Sequence, residues 1–130
     1  MDEYKMPDGQ IRFNCPCCRF PTLDERCTWE ICLLCWWEDD GQDDPFADEV
    51  WGGPNYHLSL TEGRRNFYKF YQKFDLGSKD KFTTRTVRQR RIVIELVELY
   101  RMLVIHFVSS EKIKIWERIK YLEKIYHKKD

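Results

Sequence analysis

The sequence predicts an α+β chain: a small, cysteine-rich N-terminal β lobe packed on a mainly α-helical C-terminal half that includes a helical hairpin. Three observations carry this. All six cysteines fall between positions 15 and 35. Turn formers without apolar periodicity fill the stretch from Gly41 to Asn55. From Ser59 onward the apolar residues recur at helical spacing. The expected division is residues 1–58 for the lobe and 59–130 for the helical region, the two forming one compact unit.

Each element has its own signal. Gln10 to Asn14 alternates and reads as a short strand entering the first cysteine cluster. Arg19 to Leu23 and Cys27 to Ile31 read as two further short strands leading to the second. Trp36 to Pro45 is an acidic loop, and Gly52-Gly53-Pro54-Asn55 is a second breaker. Ser59 with Glu62 three residues on fits a capping box, in which hydroxyl and carboxylate satisfy orphan backbone donors at a helix start. Leu60, Phe67, Phe70, Tyr71 and Phe74 then share a face, with Gly77 as the expected stop. A long helix is expected over 84–107, with Val93, Leu96, Val97, Tyr100, Val104 and Phe107 as its apolar stripe. Ser109-Ser110 is expected to break and re-cap the chain. Ile115, Ile119, Leu122 and Tyr126 mark a last helix. It ends in His127-Lys128-Lys129, cations suited to the negative end of a helix dipole. The short link makes these two helices an antiparallel hairpin.

Composition narrows the class. With 42% hydrophobic and 15% aromatic residues the chain is globular rather than disordered. No apolar run approaches the roughly 20 residues of a membrane span. The acidic opening Met1-Asp2-Glu3-Tyr4 lacks the cationic-then-apolar pattern of a secretory leader, so a cytoplasmic location is expected. In that compartment closely spaced cysteines point to metal or redox chemistry rather than disulfides.

Cys15-Pro16-Cys17-Cys18 and Cys32-Leu33-Leu34-Cys35 supply two CxxC pairs with 13 residues between them. Two intervening residues let one tight turn aim both thiolates at the same ion. A second such turn completes a tetrahedron, the build of a zinc ribbon. Cys15, Cys18, Cys32 and Cys35 are therefore the expected ligands of one structural Zn²⁺, with Cys17 and Cys27 as alternates. His57 is a spare nitrogen, but a lone histidine is more often a surface or hydrogen-bonded residue. So small a lobe cannot offset its ordering entropy unaided, and metal binding would supply folding energy directly.

These residues resemble the cysteine-rich CPCC family, small proteins found mostly in bacteria. The resemblance runs through Cys15-Pro16-Cys17-Cys18, Thr22-Leu23, Glu30-Ile31-Cys32, Cys35 and Trp37-Glu38-Asp39-Asp40. It continues through Gly52-Gly53-Pro54-Asn55, Ser59-Leu60 and Asn66-Phe67, covering about residues 13–82. It implies a zinc-ribbon-like lobe followed by a helix, and no defined reaction. The family typically has Gly after the first cluster; Arg19 stands there in this chain.

Net charge is zero, but its distribution is not even. Residues 1–50 hold 4 Lys/Arg against 13 Asp/Glu, and residues 51–130 hold 18 against 9. An acidic lobe suits a basic protein partner, and a basic helical half suits phosphates. No nucleophile elbow, P-loop or dinucleotide fingerprint occurs, so no enzymatic activity is expected. The acidic loop also fails the EF-hand pattern. The leading expectation is an immunity-type protein that neutralises a bacterial toxin domain, with Trp36, Trp37, Glu38, Asp39, Asp40, Asp43 and Asp44 as the contact. Charge reversal at the four aspartates should then abolish capture without unfolding. The alternative is a nucleic-acid-binding regulator using Arg85, Arg88, Arg90 and Arg91, and a thiol–disulfide redox protein comes third.

Overall fold

Two antiparallel strands, β2 (Ile11–Asn14) and β3 (Pro21–Leu23), bracket the first CxxC turn and pair Phe13 with Leu23 and Asn14 with Pro21. The structure, a computed structural model, describes residues 3–75, 85–105 and 108–128. A short strand β1 (Glu3–Lys5), which the sequence pattern did not predict, completes a three-stranded sheet of order β1-β2-β3. Three helices follow: α1 (Leu60–Phe70), α2 (Val87–Ile105) and α3 (Ser109–Tyr126). This is the α+β class that the sequence predicts, sheet first and helices after.

The chain divides into two units. One comprises Met1–Tyr4 and Ile11–Thr83, the other Lys5–Gln10 and Thr84–Asp130. The sequence placed a boundary at 58/59; here α1 lies in the cysteine unit and the division falls at 83/84.

In the first unit, the strand expected over Cys27 to Ile31 does not form. Cys27 and Trp29 both take left-handed backbone, φ 61° and 62°, which breaks extension, and only an isolated bridge between Ile31 and Glu38 remains. The capping box at α1 is complete: Ser59 Oγ accepts from the Glu62 amide and the Glu62 carboxylate accepts from the Ser59 amide. The helix ends at Phe70, because Tyr71 turns left-handed at φ 58° and its amide closes onto Phe67. The expected stop, Gly77, lies outside the described residues. Beyond Tyr71 the chain runs back to the cysteines, where the Lys73 amide donates to the Cys35 carbonyl at 2.7 Å.

In the second unit α2 and α3 run antiparallel. Arg118 pairs with Glu95 at 2.7 Å, and Arg85 Nε donates to the Tyr126 hydroxyl at 3.1 Å. Ile92, Val93, Leu96, Val97, Tyr100 and Leu103 are the buried face of α2. Ile115, Trp116, Ile119, Leu122 and Tyr126 are that of α3. Val104, expected in the stripe, is exposed, while Thr84 and Phe107 lie outside the described residues. Ser109-Ser110 does not break the chain: Val108 is the N-cap, with no side-chain bond, and both serines are helical. Asp8 of the first hairpin meets Lys120 of α3 at 3.4 Å within this unit.

Candidate metal centre

The two CxxC turns share one backbone design. In the first, the Arg19 amide donates to the Cys15 carbonyl and the Cys15 amide to the Phe20 carbonyl. In the second, the Trp36 amide donates to Cys32 and the Cys32 amide to Trp37. The residue after each second cysteine is left-handed: Arg19 at φ 68° and Trp36 at φ 69°. Neither is glycine, so each turn carries a conformational cost of about 1 kcal/mol. Arg19 thus takes a left-handed backbone that glycine would adopt without that cost.

These turns bring Cys15, Cys18, Cys32 and Cys35 together, all buried, with their sulfur atoms within 4.8 Å of one another. Two of the edges, Cys15–Cys35 and Cys18–Cys32, measure 3.6 and 3.7 Å. A tetrahedron with metal–sulfur bonds of about 2.3 Å has edges of about 3.8 Å, so the four thiols have the separation one such ion requires. Thr22 Oγ1 lies 3.0 Å from Cys32 Sγ, and the Trp37 amide points at Cys35 Sγ at 3.4 Å, as donors to thiolates do.

Burial pushes the Cys15, Cys18 and Cys35 thiols up. At Cys32 burial acts the same way, but hydrogen bonds from Cys15, Cys18, Cys35 and Thr22 outweigh it and hold that thiol well below its ordinary value. A divalent cation supplies the charge that four thiolates need, at the expense of releasing their protons.

Neither alternate belongs to the mutual set of four, although the Cys17 thiol lies against that of Cys35. Cys17 is buried beside Gly63, and Cys27 is exposed, its amide donating to Asp39 Oδ2 at 2.7 Å. His57 is exposed and outside the cluster.

A family model described as cysteine-rich CPCC matches residues 13–89. The chain belongs to that family. The CPCC match takes in both CxxC turns, α1 and the first three residues of α2, a little beyond the 13–82 read from the residues. No curated protein and no solved structure gives a significant match.

Other motifs of the CPCC segment brace the cysteine turns. Asn55 of Gly52-Gly53-Pro54-Asn55 accepts from the Glu38 amide at 3.0 Å and donates to the Glu38 carbonyl at 2.7 Å, standing in for a strand. The same side-chain oxygen accepts from Lys73 Nζ at 2.9 Å. On α1, Arg64 Nε donates to the Pro16 carbonyl at 2.9 Å, fastening the helix to the first turn.

The acidic loop is only partly turned to solvent. Trp37 and Asp39 are fully buried. Asp39 meets Arg26 Nε at 2.8 Å and accepts from the Cys27 and Gly41 amides. Asp43 pairs with Arg26, Asp44 with Arg64 and Arg19, and Asp40 accepts from the Gln42 amide. The Arg64 guanidinium beside Asp44 holds that carboxyl below the usual range. Three of the four aspartates therefore serve internal ion pairs, and a charge reversal at Asp39 strikes the core. Trp36 and Glu38 are half-buried.

The four arginines separate likewise. Arg85 is buried against Tyr126, and Arg88 donates to the Ile125 carbonyl at the end of α3. Arg90 and Arg91 are exposed on α2. The residues that sequence reasoning missed are Asn55, Gly63, Arg26 and Arg64. Asn55 stood inside a recognised motif, but its role in bracing Glu38 depends on contacts 17 residues away.

Proposed function

We propose that the cysteine unit holds one structural Zn²⁺ and that the chain acts in the cytoplasm as a non-enzymatic interaction module, binding and neutralising a bacterial toxin domain. The observation that carries the metal reading is the closed set of four buried thiols at tetrahedral separation. With four protein ligands no position is left for water or substrate, which fits structure rather than catalysis. Zinc is favoured over iron because isolated sites of this spacing are usually structural zinc.

The partner reading rests on the acidity of the first 50 residues and on apolar side chains offered to solvent from the same unit. Trp29 is 61% exposed and Ile31 58%. Electrostatic complementarity of this kind speeds capture of a basic partner. Nucleic-acid binding has less support, since two of the four arginines it invoked brace α3. Among the described residues, no helix is long and apolar enough to cross a membrane.

Native mass spectrometry of the tagged chain drawn from its own cells tests both parts at once. One zinc per chain with a bound protein is the expected result. A metal-free chain carrying disulfides overturns the metal reading, and a zinc-loaded chain with no protein attached overturns the partner reading.

A further inference from the structure

Ile31, Trp36, Tyr56 and Phe74 wall a groove of about 440 Å³ in the cysteine unit, with Glu38 and Lys73 among its lining residues. From this geometry we infer that the groove seats an arginine flanked by an apolar side chain, presented by a protein partner, with Glu38 receiving the guanidinium. The inference rests on the protein-interaction reading above and specifies where and by what chemistry the contact is made.

Three observations lead to this occupant. The first is charge. Of the loop's acids, Asp39, Asp43 and Asp44 each meet an arginine of their own unit, and Asp40 holds the Gln42 amide. Among the described residues no hydrogen bond or ion pair engages the Glu38 carboxylate; only its backbone is held, by Asn55. A carboxylate fixed by its backbone and lacking a cation suits a guanidinium, which offers paired donors and stacks on aromatic rings.

The second is the position of Lys73. Its ammonium is held by Asn55 Oδ1 at 2.9 Å and the Pro54 carbonyl at 3.2 Å, and lies over the Phe74 ring at 5.0 Å. The residue is only 4% exposed. Its donors are directed onto neutral acceptors in the wall, whereas the Glu38 carboxylate has no hydrogen-bond or ion-pair partner among the described residues, so the unmet polar capacity at the opening is an acceptor's.

The third is strain. The left-handed Trp36 belongs to the second CxxC turn, while Tyr56 sits at φ 56°, ψ −126°, a region that side-chain-bearing residues rarely enter. Such residues persist where the surroundings over-determine them and cluster at binding sites. Here such strain sets the Tyr56 wall, and the CxxC turn sets the Trp36 wall. Ile31 and Tyr56, both substantially exposed, supply the apolar surface.

The test is an amide and indole NMR titration of the zinc-loaded full chain with the capped dipeptide Ac-Leu-Arg-NH₂. Ac-Leu-Leu-NH₂ and Ac-Leu-Glu-NH₂ are run alongside it. Saturable shifts at the Trp36 indole and the Tyr56 amide are expected with the arginine probe, and about tenfold weaker binding in Glu38→Gln, whose backbone clamp is unchanged. Equal or tighter binding of the glutamate or leucine probe overturns the proposal, as does an arginine titration insensitive to Glu38→Gln. Shifts confined to residues outside the groove do the same. Should the natural partner bind Glu38→Gln as tightly as the wild type, the groove assignment fails and the interaction reading stands. Should the wild type capture no protein, the interaction reading fails, and the probe titration still decides the groove.

Discussion

Single side chains in this protein divide between holding the ion site and holding the backbone around it. Cys17 illustrates the first distinction. It lies between two members of the four-sulfur set in sequence but outside that set in space, so Cys17→Ser should keep one zinc per chain, whereas Cys32→Ser should lose it. Metal content after gel filtration reads the difference, and a zinc-free Cys17→Ser chain would show that the ligand set is wrong. Asp39 illustrates the second. Removing its carboxylate leaves two amides without their acceptor and takes one of two carboxylates from Arg26, which keeps Asp43. Stranding buried donors in this way costs about 1–3 kcal/mol, so Asp39→Ala should unfold the cysteine unit at lower denaturant than wild type. A stability unchanged within error would return Asp39 to the surface. Asn55→Ala should cost about 2–3 kcal/mol, since it strands the Glu38 amide, the Glu38 carbonyl and part of the Lys73 ammonium's shell.

At the scale of elements, α1 is the piece most tightly fitted to the metal centre. A Cβ on Gly63 would come within 3.1 Å of two Trp37 ring carbons and 3.3 Å of Cys17 Sγ. Alanine gains up to about 1 kcal/mol in helix propensity over glycine, but both neighbours are buried, so any shift of the ring must displace packed side chains. Overpacking typically costs 1–3 kcal/mol, so the close approach should win and Gly63→Ala should melt earlier, by roughly 1 kcal/mol net. A higher melting temperature would mean that α1 stands further from the cysteine turns. Element boundaries also show what the residue pattern carries. The start of α1 was legible because Ser59 and Glu62 are a local chemical pair, and the cysteine set was legible because CxxC spacing is itself the turn. The end of α1 and the loss of the Cys27–Ile31 strand were not. Both turn on tyrosine, cysteine or tryptophan adopting left-handed backbone, which tertiary contacts impose against local preference. Ser109-Ser110 misled because serine favours caps, yet Val108 holds that position without a side-chain bond.

For the molecule as a whole, the proposed metal site predicts that the two units answer differently to chelation. Chelation should remove α1's contribution to the helical circular dichroism while α2 and α3 keep theirs, 11 residues against 19 and 18. A complete loss of helical signal on chelation would show that the hairpin depends on the metal as well. The burial of Asp39 and the internal pairing of its neighbours were not legible from the sequence for a reason of the same scale. An acidic run looks solvated until its counter-charges, Arg26 and Arg64, are seen to come from elsewhere in the chain.

The hairpin tip at Lys5–Gln10 belongs with residues from Thr84 onward, and Asp8 meets Lys120 across 112 positions. A chain emerging from the ribosome therefore makes this tip early and completes its surroundings late. The cysteine turns, separated by no more than 20 positions, close long before that. Loop-closure entropy orders the two events the same way in free refolding, the longer loop costing about 1.5 kcal/mol more. On this ordering the cysteine turns should close before residues 5–10 find their place.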